Sequence, residues 1–215
     1  MFTSMADIEA LVEKVQGDQD EAHLNAYLET HRQRLFSLTR QRLNYYKFLY
    51  YLVQRRRPPC ALELGVEFGL ASAHMYEAGY GHTTIIGVDL NETCTFDGQI
   101  WPGLTQFHHF VQGDSTENVT INRVRDIVMD RGKIGVVYQD SSHHYEASMK
   151  EFAAYSQMLE ENAIWVCDDI TPAFHDPLID PPGKGMVQYW EELPGEKKLF
   201  PDVLHKGNTV GVALL

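Results

Sequence analysis

Five acidic residues follow short apolar segments at nearly equal intervals along this chain. They are 26, 25, 26 and 28 residues apart, each interval about one strand plus one helix: Glu63, Asp89, Asp114, Asp140 and Asp168. Strands that alternate with helices at this rate form a parallel sheet covered on both faces. In open sheets of this kind, ligands bind outside the carboxyl ends of the strands. The spacing therefore predicts several carboxylates around one crevice.

Apolar runs and helical periodicity place the individual elements. The predicted strands are Cys60–Leu64, Thr84–Val88, Phe107–Val111, Ile134–Tyr138 and Ala163–Cys167, and the predicted helices between them are Leu70–Ala78, Asn118–Met129 and about His143–Glu160. Phe200–Leu215 holds two β-rich stretches around a Lys-Gly-Asn turn, which predicts an antiparallel hairpin. The expected fold class is α/β: a Rossmann-like, mostly parallel sheet with helices on both faces and an antiparallel C-terminal hairpin, preceded by N-terminal helices.

The first 58 residues follow a different pattern. Asp7–Gln16 has the spacing of a short amphipathic helix, Glu21–Gln54 has that of one or two longer helices, and two consecutive prolines at 58 and 59 end the helical pattern. Residues 31–57 contain eight basic side chains and no acidic one. Because the whole chain has a net charge of −12, all the other residues together carry −20. We predict an N-terminal helical arm over residues 1–58 and an α/β domain over residues 59–215.

Composition restricts the class of protein and its compartment. A net charge of −12 argues against wholesale binding to a phosphate backbone, which needs clustered Lys and Arg. The three cysteines form no CxxC pair, which argues against a disulfide framework or a thiolate zinc site and fits a reducing cytoplasm. The sequence shows neither a signal-peptide pattern nor an apolar stretch of about 18 to 20 residues. The expectation is a cytoplasmic protein that does not use a membrane.

The segment Leu62–Gly69 combines a strand end, an acid and two glycines before a helix. Glycines at 65 and 69 let the backbone approach a ligand, and the helix N-terminus offers free N–H groups. The spacing is not GxGxxG, because the glycines are four residues apart and Glu67 lies between them. Beside Glu63 and Glu67 a pyrophosphate is disfavoured, whereas a nucleotide-like ligand that carries positive charge fits better.

Carboxylates at the next two strand ends complete a candidate nucleoside site. Asp89 can accept two hydrogen bonds from ribose hydroxyls. Asp114 and Ser115, after the third strand, can bracket an adenine. Each of these residues has a structural alternative, since Asp and Ser also form helix caps and Asx turns.

The segment Tyr138–Glu146 and the acidic pair after the next predicted strand carry the strongest signal. Three carboxylates that converge from adjacent strand ends repel one another unless a cation lies among them: Asp140, Asp168 and Asp169. Ligation by oxygen alone suits Mg²⁺ or Mn²⁺ rather than zinc. His143 would lie near anything the metal holds, with a pKa suited to accepting a proton near neutrality, and His144 is the reserve candidate. The structural alternative is that Ser142 caps the next helix and both histidines belong to its first turn.

Taken together, these motifs resemble the class I S-adenosylmethionine-dependent methyltransferases. The resemblance rests on the glycine motif, Asp89, Gly113-Asp114-Ser115, the Asp-x-x-His motif at Asp140 and the Asp168-Asp169 pair. It is closest to the metal-dependent sugar and natural-product O-methyltransferases, of the cephalosporin hydroxylase-like and macrolide O-methyltransferase-like type. The resemblance covers about residues 59–215, and Glu67 departs from it, since many methyltransferases have glycine there.

The resemblance implies a cofactor, a metal and a reaction. The implied cofactor is S-adenosylmethionine, with these residues around it: Glu63, Gly65, Gly69, Asp89, Asp114, Ser115 and Asp140. The implied metal is Mg²⁺ (or Mn²⁺) on Asp140, Asp168 and Asp169, with His143 at the position of the base. The acceptor would be a hydroxyl of a small molecule such as a sugar or a natural product. Two other classes stay open: an S-adenosylmethionine-binding protein without methyl transfer, and a nucleic-acid methyltransferase that uses the basic arm. The net charge of −20 on the rest of the chain argues against the second class.

Several aromatic and histidine side chains have two interpretations each. His175, in a Pro-rich segment, is either a lid residue or simply exposed. Three aromatic residues either line an acceptor pocket or lie in the core or at an interface: Trp101, Tyr189 and Trp190. Four tyrosines of the arm either cover the acceptor, form the surface of a homo-oligomer, or belong to a solvated basic helix packed on the domain: Tyr45, Tyr46, Tyr50 and Tyr51.

Overall fold

A single seven-stranded sheet organises the part of the chain that the computed structural model describes, which is residues 2–17, 44–67, 69–91, 108–172, 176–204 and 207–215. The strands are β1 (Cys60–Leu64), β2 (Thr84–Asp89), β3 (His108–Gln112), β4 (Ile134–Gln139), β5 (Leu159–Cys167), β6 (Glu196–Pro201) and β7 (Thr209–Leu214). Their order across the sheet is β3-β2-β1-β4-β5-β7-β6. The first five are parallel, and β7 pairs antiparallel with both β5 and β6.

This strand order explains where a ligand can enter. The chain runs from β1 outward to β2 and β3, then returns to place β4 on the other side of β1. The loops that follow β1 and β4 therefore diverge, which leaves a crevice at the carboxyl ends of these strands. Because β1 and β4 are buried along their whole length, both faces of the sheet at this point are covered.

Helices cover both faces of the sheet. They are α1 (Met5–Gly17), α2 (residues 44–56), α3 (Leu70–Ala78), α4 (Asn118–Arg131), α5 (Tyr145–Tyr155) and α6 (Met186–Glu192), with a 3₁₀ turn at Ser156–Met158. Alternate residues of the strands point to opposite faces, so Ala61 joins one apolar cluster and Leu62 the other. The first cluster contains side chains of α1, α2 and α3, and the second contains side chains of α4, α5 and α6.

The expected fold class is confirmed, with differences at the level of elements: α6 was not predicted, and β6 begins at Glu196, before the predicted range Phe200–Leu215. The helix predicted from about His143 begins at Tyr145, because His143 has a φ of 55° that no right-handed helix accommodates. That helix ends at Tyr155, and β5 begins at Leu159 rather than at Ala163. Asn162, with a φ of 57°, interrupts the first half of β5, where the register against β4 is irregular.

The predicted N-terminal helices are only partly within the described residues. α1 corresponds to the predicted helix over Asp7–Gln16, and α2 is the end of the longer predicted segment. Both helices bury apolar side chains in the same cluster as the sheet, including Ile8 and Leu49. The boundary at residue 58 between an arm and a domain stays a prediction. Within the described ranges, no helix combines the length and the apolar character that a bilayer span requires.

Candidate active site

The loop after β1 lies against the loop after β4, and glycine makes this contact possible. Gly65 has a φ of +85°, and a Cβ there would lie 2.0 Å from the carbonyl oxygen of Asp140. Any other residue would clash with this carbonyl and displace the two loops that border the crevice. Gly69, with a φ of +70°, precedes the first residue of α3.

Asp89, at the end of β2, holds the glycine loop in place. Its Oδ2 accepts hydrogen bonds from the backbone N–H groups of Val66 (2.9 Å) and Glu67 (3.1 Å), and its Oδ1 accepts one from Asn91 (2.8 Å). A carboxylate has about four acceptor positions, so it can accept further bonds from a ligand. Glu67 has a φ of 46°, the conformation in which glycine is unstrained.

Glu63 is buried beneath this loop, and only 2% of it is exposed. Burial raises the pKa of its carboxyl well above the ordinary value; the hydrogen bond from the Ser72 hydroxyl opposes this, and the nearby charges of Asp140 and Asp89 add to it. Glu63 and Glu67 line one narrow pocket together with Tyr46. A cationic group in that pocket would favour ionisation of Glu63.

Asp114 and Ser115 follow β3 as expected, and both have structural partners. Asp114 Oδ1 accepts bonds from the backbone N–H (2.8 Å) and the hydroxyl (2.7 Å) of Thr116, which is an Asx-type turn. The Ser115 hydroxyl donates to Glu151 of α5. Both residues also line the large cavity described below, so the structural and the binding interpretations are compatible.

Glu151 forms the centre of a buried polar network that the sequence motifs did not indicate. Besides the bond from Ser115, its carboxyl accepts bonds from Gln139 Nε2 (2.6 Å) and the Ser141 hydroxyl (2.7 Å). Burial raises the pKa of Glu151, and the three hydrogen bonds oppose the rise. One signal was available: Glu151 has the helical spacing of the buried residues of α5, three residues after Ser148.

Two carboxylates and one imidazole converge at the ends of β4 and β5. His143 Nε2 lies 3.2 Å from Asp140 Oδ1 and 3.6 Å from Asp169 Oδ2. One potential ligand atom from each residue lies within 4.8 Å of the others. Of the three predicted metal ligands, the structure brings Asp140 and Asp169 together, and His143 stands in the third place. We call Asp140, His143 and Asp169 the acid–histidine cluster.

Asp168 lies behind the acid–histidine cluster rather than in it. It is fully buried, and its Oδ1 accepts the backbone N–H of Asp169 (2.9 Å). Its own backbone N–H donates to the carbonyl of Gln139 (3.0 Å), at the end of β4. Asp168 therefore fixes the turn that carries Asp169, whose φ is 58°.

The two histidines have different partners. Burial alone would lower the pKa of His143, but the hydrogen bond and charge of Asp140, with the charges of Asp169 and Asp168, raise it overall. His144 Nδ1 instead lies 3.6 Å from Asp180 Oδ2. Asp180 Oδ1 also accepts the backbone N–H of Tyr145 (2.8 Å), so His144 belongs to the structure that begins α5.

One cavity of about 660 Å³ joins the glycine loop to the acid–histidine cluster. It is lined by most of the residues predicted to bind cofactor or catalyse: Gly65, Asp89, Asp114, Ser115, Asp140, His143, His144 and Asp169. Three predicted site residues are not part of its lining: Glu63, Gly69 and Asp168. Glu63 lines the adjacent narrow pocket, which shares Gly65, Glu67 and Asp140 with the cavity.

The aromatic residues with two interpretations lie mainly in the core. Tyr189 is buried and donates its hydroxyl to Gln139 Oε1 (2.6 Å), and Trp190 packs against Gly211, where a Cβ would meet its ring at 2.6 Å. Tyr45 is buried, and the Tyr46 ring stacks on His74 at 5.1 Å. Tyr50 and Tyr51 pack edge to face at 5.4 Å. Two further predicted residues lie outside the described ranges: Trp101 and His175.

A family described as a methyltransferase domain matches residues 62–170, just over half of the chain. The chain therefore belongs to this family. No curated protein matches its sequence significantly. The matched range begins within β1, ends just after β5 and includes the acid–histidine cluster.

Solved structures of methyltransferases share the fold over almost the whole chain. An O-methyltransferase from Bacillus cereus in complex with SAH (S-adenosylhomocysteine) is 12% identical, with a TM-score of 0.60 over 96% of this chain and 91% of that one. TomG from Streptomyces achromogenes, an O-methyltransferase of tomaymycin synthesis in complex with SAM (S-adenosylmethionine), is 16% identical, with a TM-score of 0.60 over 92% and 91%. The SAH-bound methyltransferase PaMTH1 from Podospora anserina is 12% identical, with a TM-score of 0.64 over 100% and 98%. The resemblance to class I methyltransferases is thus confirmed for family and fold.

Proposed function

We propose that this protein transfers a methyl group from SAM to a hydroxyl of a small molecule, with the help of a divalent cation. The observation that carries the proposal is the single cavity that joins the glycine loop and Asp89 to the acid–histidine cluster. A methyl donor and an acceptor hydroxyl must meet within one shared space, and a cavity of about 660 Å³ has room for both. A sugar or a natural product would supply the hydroxyl.

For the cofactor, we propose that Asp89 accepts hydrogen bonds from the ribose, next to the backbone of the glycine loop. Asp114 and Ser115 would bound the adenine, and Gly69 would let α3 begin close to the ligand. Two acids near the narrow pocket, Glu63 and Glu67, favour a ligand that carries positive charge. The O-methyltransferases of B. cereus and S. achromogenes, whose folds are similar, hold SAH and SAM.

For the cation, we propose Asp140 and Asp169 as ligands, with Asp168 supporting Asp169 from behind. The donor set fits, because carboxylate oxygens suit Mg²⁺ or Mn²⁺ and the two carboxylates lie close enough to share one ion. A bound divalent cation would polarise the acceptor oxygen and lower the pKa of its hydroxyl. In this assignment Asp168 acts indirectly, because it accepts a hydrogen bond from the backbone N–H of Asp169.

His143 is proposed as the general base. His143 lines the cavity and its Nε2 lies between two carboxylates, so the imidazole can accept the proton of the acceptor hydroxyl. Asp140 and Asp169 would stabilise the imidazolium that results, since their oxygens lie 3.2 and 3.6 Å from that nitrogen. The oxygen freed of its proton is then the nucleophile for methyl transfer. His144, paired with Asp180, stays the second candidate.

Transfer of labelled methyl from SAM to a panel of acceptors tests the function. The panel would contain vicinal diols, sugars, phenols and macrolides, with primary amines and nucleic acids as comparison classes. We expect label only in hydroxyl compounds, loss of transfer with EDTA, and recovery with Mg²⁺ or Mn²⁺. Transfer that EDTA leaves unchanged would contradict the metal, and label in nucleic acid alone would favour the basic-arm alternative. Absence of label in every class, with SAM bound, would favour a binding protein without transfer.

The described basic residues of the arm speak against the nucleic-acid alternative. Arg56 is paired with Glu160 at 2.8 Å, and its side chain is only 6% exposed. Lys47 is buried in α2, with 3% exposed. Arg55 lies over the ring of Phe2 at 4.9 Å. Arg56 therefore connects α2 to β5, Arg55 connects α2 to the N-terminal segment, and Lys47 is buried, so these three side chains do not form a row of free cations for phosphates.

A further inference from the structure

We infer that Tyr138 is a positioning residue for the acid–histidine cluster, through a hydrogen bond that fixes the orientation of the Asp140 carboxylate. Tyr138 belongs to β4 and lies two residues before Asp140. The inference rests on the proposed function, because it assumes that the cluster holds a divalent cation. No role for Tyr138 followed from the sequence, although this residue begins the segment Tyr138–Glu146.

The two oxygens of Asp140 have different partners. The Tyr138 hydroxyl donates to Oδ2 at 2.5 Å, whereas Oδ1 faces His143 Nε2 at 3.2 Å. Because Tyr138 holds Oδ2, rotation of the carboxylate about its last bond would break this hydrogen bond. Oδ1 is therefore kept toward His143, whose Nε2 also lies 3.6 Å from Asp169 Oδ2.

The Tyr138 ring is itself held by its surroundings. Only 2% of the residue is exposed, and its ring packs edge to face on Tyr45 of α2, with centroids 5.0 Å apart and planes at 74°. Because α2 belongs to the N-terminal segment, this contact extends from that segment to the cluster. Because the ring is buried between a strand and a helix, its hydroxyl is held at one position. A residue that orients a metal-binding carboxylate needs such a fixed position.

Such a hydroxyl has a measurable effect on ion binding. Carboxylates that bind metal ions are themselves hydrogen-bonded, and removal of such partners typically weakens metal affinity by about 10- to 100-fold. A free Asp140 carboxylate would turn away from Asp169, because two like charges at this distance repel each other. The Tyr138 hydroxyl opposes that rotation before the ion arrives.

Mn²⁺ binding to the full chain tests the inference without any acceptor or cofactor. Tyr138→Phe removes the hydroxyl and keeps the ring that packs on Tyr45. We expect its Mn²⁺ affinity, measured from the free-ion signal in electron paramagnetic resonance, to fall about 10- to 100-fold. Tyr155→Phe is the matched control, since Tyr155 is also buried and donates to a backbone carbonyl, that of Ser115, at 2.9 Å. We expect the control to bind Mn²⁺ like the wild type.

The outcomes separate this inference from the proposed function. If the wild type and Asp169→Asn bind Mn²⁺ equally poorly, the proposed cation site fails. If the wild type binds Mn²⁺ and Tyr138→Phe binds it equally well, only the role of Tyr138 is overturned. Equal weakening in Tyr138→Phe and Tyr155→Phe would also overturn it, because loss of any buried hydroxyl would then have the same effect. Melting temperatures of the variants show whether each remains folded.

Discussion

Three non-glycine residues that line the cavity have a left-handed backbone conformation. They are Glu67 (φ 46°), His143 (φ 55°) and Asp169 (φ 58°). This conformation costs a residue with a side chain roughly 1 to 2 kcal/mol. Such strain persists where the surrounding structure enforces it, and it occurs preferentially at active sites. Here the hydrogen bond from the Glu67 N–H to Asp89, and that from the Asp169 N–H to Asp168, enforce it.

His143→Ala tests the assignment of the base. We expect turnover to fall by about 100-fold or more, because a positioned base contributes that much to proton transfer. The affinity for SAH should be unchanged, since Asp89 and the glycine loop remain intact. Steady-state kinetics on an acceptor from the panel, with calorimetric titration of SAH, measure both quantities.

His144→Ala is the matched control for this prediction. It removes the neighbouring imidazole, which contacts Asp180 instead of the cluster. Turnover lost in His144→Ala and retained in His143→Ala would exchange the two roles. Mn²⁺ affinity that falls in His143→Ala as far as in Asp169→Asn would make His143 a metal ligand instead of the base.

At the scale of residues, the sequence identified the acids at strand ends but not the residues that hold those acids in place. Acids after strands could be placed at the crevice because the carboxyl ends of parallel strands meet at one edge. The role of Asp168 depends on which way the turn after β5 faces, and neighbouring acids in a sequence do not reveal this. Glu151 acts through contacts between elements that lie apart in the chain, so no local spacing indicates it. Tyr138 lies two residues before Asp140, but the direction of its hydroxyl depends on packing against Tyr45, which is distant in the sequence.

At the scale of elements, Glu151 on α5 connects three segments that meet at the cavity. The segments are the loop after β3, which carries Ser115, the end of β4 at Gln139, and the loop after β4, which carries Ser141. Gln139 also accepts a bond from Trp165 Nε1 (3.0 Å) on β5. The wall of the cavity near the proposed adenine site is therefore held by one buried carboxyl.

Glu151→Ala should destabilise the fold and weaken cofactor binding together. It leaves three donors without their acceptor in a buried site, which costs about 1 to 3 kcal/mol for each group that water does not reach. We expect the free energy of unfolding in urea to fall by at least about 2 kcal/mol, and SAH affinity to fall as Ser115 and Ser141 move. Glu191→Ala, at an exposed position of α6, is the control and should change neither. A loss of stability in Glu151→Ala no larger than in this control would show that the network is not structurally important.

The elements themselves were predictable where their pattern is strong. Strands β1, β2 and β4 are apolar runs because both faces of the sheet are covered there. The start of β5 was not predictable, since Glu160, Glu161 and Asn162 are polar and only its second half is fully buried. A strand whose first residues are polar and partly exposed does not begin with an apolar run, so its start cannot be located from apolar residues.

At the scale of the whole molecule, the N-terminal helices are part of the covering of the sheet. α1 and α2 bury apolar side chains in the same cluster as α3 and the strands. Their amphipathic spacing predicted helices but not the surface against which they pack, because the partner residues are distant in the sequence. The strand order likewise depends on which edge each new strand joins, which local patterns do not contain, and it was not predicted from the sequence.

Calorimetric titration of SAH into the purified protein tests the central claim most directly, because it needs no knowledge of the acceptor. We expect one binding site per chain. Asp89→Ala, which removes a charged hydrogen-bond acceptor, should weaken the affinity by about 10- to 100-fold. Asp126→Ala, at an exposed position of α4, should bind SAH like the wild type. Wild-type protein that binds no SAH, or an Asp89→Ala variant that binds as tightly as the wild type, would contradict the account.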